Sequence, residues 1–306
     1  MFSIVQRRYW YFGLSLLVII PGMLALIFWG LPLSIDFQSG SLLEVQFAPI
    51  SKPLDLEEIR QLYNQRGFTD STVQASGADT VVVRSKPLTE EDQRAIIAAM
   101  QALYGPAKVL AAETVGPTVG AEVAQRAALA VGAAAIGILG YITYAFRRVE
   151  HAFRYGVAAI IAMLHDVLVV IGSAAILGHF FGWEVDALFL TALLTVVGFS
   201  VHDTIVVFDR IRENLLLHRR LDYETVVNHS IVQTLDRSIN TQLTVMLTLL
   251  ALTLFGGSTI RHFVVTLLIG VLSGTYSSIF NAAPILVVWE NQEWKNWFRP
   301  KRQATA

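Results

Sequence analysis

The chain has 306 residues, 54% of them hydrophobic and only 15% charged, with a net charge of −1 and a mean hydropathy of +0.53. That balance lies outside the range of ordinary soluble domains and excludes bulk electrostatic attraction to nucleic acid, so the chain reads as an integral membrane protein. It contains no cysteine, which excludes disulfides and thiolate metal sites.

Six apolar runs are long enough to span a bilayer, at roughly 9–30, 123–146, 155–178, 187–208, 239–256 and 263–289. They divide the chain into an N-terminus with the first span (1–32), a polar segment (33–120), five further spans (121–290) and a tail (291–306). The first run follows Arg7 and Arg8 but exceeds a signal-peptide core and has no A-x-A site after it, so it reads as an uncleaved anchor. Lys and Arg gather at the N-terminus, at Arg147, Arg148 and Arg154, at Arg210, Arg212, Arg219, Arg220 and Arg237, and at Lys295, Arg299, Lys301 and Arg302. The opposite loops offer little beyond Arg261, which predicts cytoplasmic termini and an external segment 33–120.

That segment reads as an α+β domain. LLEVQFA (42–48) alternates as a strand, and Leu54 to Arg66 is a helix with Asp55 as its N-cap, ending at Gly67. STVQAS and TVVVRS flank Gly77-Ala78-Asp79 as a hairpin; T-E-E-D opens a helix over Thr89 to Leu103, and AKVLAAETV closes as a strand. The order βαββαβ predicts a ferredoxin-like fold. With no histidine between 33 and 120 and no nucleophile signature, the domain is expected to bind or move and not to catalyse. The protein is accordingly not expected to be an enzyme, nor to hold a metal or cofactor.

The second span carries Ala133, Gly137 and Tyr141 at four-residue steps, and the sixth carries Gly270, Gly274, Ser278 and Ala282. Such stripes let helix backbones approach closely; a kink is expected near Pro284. Residues 221–235 are amphipathic, either lying at the interface or leading into the fifth span.

Ionisable groups fall inside two spans. His165-Asp166 sits about ten residues into the third, where it serves either as an interhelical clamp or in transport. In the fourth, Asp203, with His202 beside it, lies about 25 Å of helix beyond Asp186. A charge there costs at least about 2.5 kcal/mol and usually lines an ion path. Asp209, Arg210, Arg212 and Glu213 read instead as a solvated helix end. The fifth span places Ser230, Thr234, Arg237, Thr241, Thr244 and Thr248 on one face for about 27 Å. That stripe suggests the wall of a hydrated path, with Asp203 as the counter-ion of Arg237. Proximity of the two would hold Asp203 ionised, and separation would favour its protonation. No phosphate-binding G-x-x-x-x-G-K-[ST] occurs, so an ion gradient is the expected driver.

SIDFQSGSLLEVQF, AMLHDVLV, GFSVHDTIVVFDRIREN, QTLDRSINTQLT, LFGG and LIGVLSGTYSSIFNAAP together resemble the SecF branch of the SecD/SecF protein-export family, within the resistance-nodulation-division superfamily. The resemblance covers nearly the whole chain. It implies six membrane helices with a periplasmic ferredoxin-like domain, in the bacterial inner membrane. It implies proton-driven assistance to late preprotein translocation, independent of ATP, in complex with SecD beside the SecYEG channel, with YajC and YidC as further candidate partners and protons as the coupling ion. By position, the family's proton-path acid falls on Asp203 and its basic partner on Arg237. The family motif near G-I-D-F-T-G-G falls on Asp36, Phe37 and Gly40, with Ser34, Gln38 and Ser39 departing from it. His202 replaces the usual Asn. Two other functions stand beside this one, a non-conducting scaffold and half of a small-molecule or lipid exporter.

Overall fold

A computed structural model describes residues 3–296; the basic tail residues Arg299, Lys301 and Arg302 lie outside the described residues. The chain divides into two compact units, Leu33–Leu129 and the remainder.

In the smaller unit a one-turn helix α2 (Ile35–Gln38) precedes β1 (Gly40–Phe47), α3 (Leu56–Gln65), β2 (Thr72–Ala75), β3 (Thr80–Ser85), α4 (Glu90–Tyr104) and β4 (Ala107–Val115). The strands form one antiparallel sheet in the order β2-β3-β1-β4, the ferredoxin-like arrangement. Alternation in β1 and β3 places Leu43, Val45, Phe47, Val81 and Val83 on one face. They bury there against Ile59 and Tyr63 of α3 and Ile96, Met100 and Tyr104 of α4. Both helices start at the expected caps: Asp55 accepts from the Glu57 N–H at 2.9 Å, and Thr89 from the Asp92 N–H at 3.2 Å. Each cap stabilises its helix by about 1 kcal/mol.

The Tyr104 hydroxyl donates to Glu58 at 2.6 Å, and Lys52 donates to the same carboxylate oxygen at 2.6 Å. Hydrogen bonds from Lys52 and then Tyr104 hold the Glu58 carboxyl below its ordinary value, while burial and Glu58 push Tyr104 up to about 12. Because the carboxyl is depressed on folding, its contribution is complete above the ordinary value of 4.5 and is lost as pH falls through the lowered value. Glu58→Gln is therefore expected to lower stability at neutral pH, where the contribution is complete, and to flatten the acid side of a stability-versus-pH curve below pH 4.5. Ser39 is held at φ 65° and ψ 160°, a region nearly exclusive to glycine. At Gly40 (φ 140°) a Cβ would lie 2.7 Å from the Ser85 carbonyl oxygen. Ser39→Gly is expected to stabilise the sheet by about 1 kcal/mol and Gly40→Ala to destabilise it, read by hydrogen exchange of the β1 and β3 amides.

The larger unit is a helix bundle. Its members are α1 (Arg8–Trp29), α5 (Pro117–Ala145, which begins in the smaller unit), α6 (Ala152–Phe181), α7 (Ala187–Leu217), α8 (Tyr223–Phe255), α9 (Ser258–Ser277) and α10 (Ala283–Glu290). With α9 and α10 taken as one span, six helices among the described residues are long and apolar enough to cross a membrane. The amphipathic stretch 221–235 is the first part of α8, which runs unbroken for 33 residues from its cap at Asp222. Between α9 and α10 a π turn (Ser278–Ala282) precedes Pro284, whose missing N–H breaks the regular ladder.

Small residues set the close approaches. A Cβ on Gly22 would lie 2.9 Å from the Gly172 Cα, so α1 and α6 meet backbone to backbone. One on Gly270 would lie 2.1 Å from a Val196 methyl, which makes the sixth-span stripe a packing surface between α9 and α7. Polar ties gather at one end of the bundle, where Arg8 pairs with Glu224 at 3.2 Å and Glu293 at 2.5 Å, and the Ile4 N–H donates to Asn228 at 2.8 Å. The start of α1, the start of α8 and the segment after α10 thus share that end. At the other, the Val185 N–H donates to the Pro32 carbonyl at 2.7 Å and Trp29 stacks on His179.

Candidate functional site

The inward stripe of α7 carries Val196, Val197, Ser200, Asp203, Thr204, Val207, Phe208, Ile211 and Asn214, all buried. The 3.6-residue period that turns the valines inward turns Asp203 inward with them, to 4% exposure. Its hydrogen-bond partner is the Gln242 side-chain amide of α8, itself 2% exposed, whose Nε2 donates to Oδ2 of Asp203. The other amide atom, Oε1, is buried and accepts from no group among the described residues.

Asp166 on α6 is fully buried and differently supplied. Ser200 of α7 and Ser277 of α9 donate to Oδ2 at 2.5 and 2.7 Å, and Ser273 of α9 donates to Oδ1 at 2.6 Å. His165 Nδ1 lies 2.9 Å from Oδ1, the spacing of an N–H donor, while its Nε2 is buried without a partner among the described residues. Four donors match the four lone-pair sites of an ionised carboxylate. Thr204 and Ser278 continue the seam, their hydroxyls 3.1 Å apart and each near the Ser200 carbonyl. Towards the end that holds Arg8, Asn214 of α7 donates to Ser230 and Gln233 of α8, both at 2.9 Å.

The residues singled out from sequence therefore do not converge on one point. Asp166 and His165 lie where α6 meets α7 and α9, and Asp203 where α7 meets α8, whereas His202 is exposed. Arg237, Thr241, Thr244 and Thr248 lie on an exposed face of α8. The threonine hydroxyls back-bond to carbonyls one turn earlier, and Arg237 has no ion pair among the described residues. The expected Asp203–Arg237 pairing is thus replaced by Asp203–Gln242. Gln242 follows Thr241 in the chain and so projects about 100° around the helix from the threonine stripe. The buried face of α8 instead runs through Ser230, Thr234, Ser238 and Gln242. That four-residue run of polar groups ending in an amide was the signal the threonines masked. Asp36 and Phe37 lie in α2 and Gly40 opens β1; Ser34 caps α2 by accepting from the Asp36 N–H at 3.2 Å.

If Asp166 clamps three helices, Asp166→Ala leaves three buried serine hydroxyls short of an acceptor. The variant is expected to lose about 3 kcal/mol of stability, read as a lowered thermal-unfolding midpoint in detergent.

Comparisons with known proteins agree along the whole chain. A family model described as protein export membrane protein SecD/SecF, C-terminal, matches residues 95–292, and one for the SecD/SecF GG motif matches residues 25–49. The chain is 56% identical over 301 residues to protein translocase subunit SecF of Anaerolinea thermophila, covering 98% of this chain and 97% of that protein. It is 38% identical to protein translocase subunit SecDF of Thermus thermophilus, covering 86% of this chain but 35% of that longer protein. A crystal structure of Thermus SecDF, described as a translocon-associated membrane protein, superposes with a TM-score of 0.82 at 34% identity, covering 95% of this chain and 39% of that one.

Proposed function

The chain belongs to the SecD/SecF family of protein-export membrane proteins, and from that premise we propose that it is the SecF-type half of a proton-driven export motor. In this reading it sits in the bacterial inner membrane with both termini in the cytoplasm and its ferredoxin-like domain outside. It pairs with SecD beside the SecYEG channel, with YajC and YidC as accessory partners. It uses the proton gradient to complete preprotein translocation after the ATP-driven stage.

The observation that carries the reading is the contrast between two carboxylates in one bundle. Asp166 has a donor for each lone-pair site, whereas Asp203 has one neutral amide donor. In a medium without water, an under-supplied carboxylate is the one whose proton occupancy responds to its surroundings. Asp203 is accordingly the proton carrier and Asp166 the clamp. Moving one proton charge through 100 mV releases about 2.3 kcal/mol, which can bias two conformations that differ by a few kcal/mol. A pure scaffold gains nothing from leaving Asp203 short of partners. Asp203→Asn is expected to abolish gradient-dependent completion of preprotein transport in vesicles while assembly with SecD persists. Full activity in an assembled Asp203→Asn complex would sink the proposal.

The exposed α8 face bears on the partner. Arg237, Thr241, Thr244 and Thr248 would be costly against lipid tails, and a second protein half would cover them. The longer SecDF relatives, in which a sequence like this one fills about a third of the chain, support SecD as that half. Arg237 then works at the boundary between halves, available to the carboxylate when α7 and α8 separate. Because the chain lacks cysteine, a single Thr244→Cys can be used cleanly. It is expected to cross-link to SecD in membranes, and Leu129→Cys, on the exposed side of α5, is a comparison site.

A further inference from the structure

Gln242 presents an amide to Asp203 with only half of its hydrogen-bonding capacity engaged. Its Nε2 donates to Asp203 Oδ2, and its Oε1, a buried acceptor, has no donor among the described residues. Buried polar atoms without partners are rare, and an amide acceptor beside a carboxyl has one natural complement, the O–H of the protonated acid. An amide and a carboxylic acid can close a ring of two hydrogen bonds: N–H to the acid carbonyl and acid O–H to the amide carbonyl. We propose that Gln242 is the positioning residue that recognises the protonated form of Asp203 and locks α7 to α8 in the proton-loaded state. This rests on the reading of Asp203 as the proton carrier and adds how its occupancy is read.

The consequence is a change in bond count. With the proton on Asp203, both halves of the amide are used and the α7–α8 contact is closed. When the proton leaves, the O–H···Oε1 bond is lost, the N–H bond stays, and the amide oxygen is left without a donor, because a carboxylate can only accept. The contact is weakened at the point where Asp203 gains its charge, so the charge is free to seek another partner. The other ionisable groups on the elements packed around Asp203 do not compete for this role. His202, its chain neighbour, is exposed and projects about 100° around α7 from it. Asp166 and His165 on α6 are engaged with one another and with serines, and Tyr276 on α9 donates to the Tyr11 carbonyl at 2.7 Å. Asp236 and Arg237 lie on the exposed face of α8, and Asp209 pairs with Arg212 at 2.6 Å.

Infrared difference spectroscopy of the full-length protein in lipid, stepped in pH, tests this through the carboxylic acid C=O stretch that disappears in Asp203→Asn. The band is expected at the low frequency of a doubly hydrogen-bonded acid, and Gln242→Leu is expected to shift it upward. Where that variant does not fold, wild-type protein with carbonyl-13C glutamine side chains provides the second measurement. A labelled amide C=O band should move with the same pH midpoint as the Asp203 band and should be pH-independent in Asp203→Asn. An Asp203 acid band that titrates but ignores Gln242→Leu, or an amide band that does not follow it, overturns the role of Gln242 and leaves the proton carrier standing. The absence of any titrating Asp203 band overturns both.

Discussion

The structure depends on one constraint, that a bilayer interior supplies no water to finish an incomplete set of hydrogen bonds. Every polar group in the bundle must find its partner in protein, and the degree to which it does separates fixed contacts from adjustable ones. Asp166 is the fixed case. Three serines from two neighbouring helices and one histidine surround it, so α6, α7 and α9 are tied through a single carboxylate. Gly270 and Gly274 allow the approach that brings Ser273 and Ser277 into range: a Cβ at Gly270 would clash with Val196, and one at Gly274 would press on Ser200 at 3.3 Å.

Asp203 lies one helical turn beyond Ser200 on the same inward stripe of α7, yet its side-chain hydrogen bond among the described residues runs to α8. Removing that bond leaves α7 and α8 joined by apolar packing and by the Asn214 contacts towards the end that holds Arg8. The bundle thus has a welded part and a part hinged on one titratable contact, which is the kind of bistable element a proton can bias. Under the proposed function, the exposed polar face of α8 is where a change at Asp203 would reach a partner subunit.

Much of this was legible in the sequence. Alternation in β1 and β3, the caps at Asp55 and Thr89 and the turn at Gly77 were enough to define the ferredoxin-like unit, because local periodicity and turn chemistry fix such elements. Hydropathy and length marked the six spans for the same reason. Asp203 and Asp166 stood out because a carboxylate in an apolar run needs an explanation. What the sequence left hidden was which face of α8 turns inward. A threonine stripe and a buried polar stripe both repeat at helical spacing, and only packing against α7 decides between them. Gln242 is a neutral residue five positions from a more conspicuous arginine, so nothing in the sequence singles it out. The serines around Asp166 come from two helices far apart in the chain, and no local pattern announces that they meet.

The central claim is that α7 moves relative to α8 when Asp203 changes protonation while α6, α7 and α9 move as one. Spin labels on the cysteine-free background, one pair spanning α7 and α8 and another spanning α7 and α6, measure this by pulsed dipolar spectroscopy across pH. The account predicts that the α7–α8 distance distribution changes with pH, that Asp203→Asn freezes it, and that the α7–α6 distance stays constant. A pH-independent α7–α8 distance, or an α7–α6 distance that changes as much, would contradict it.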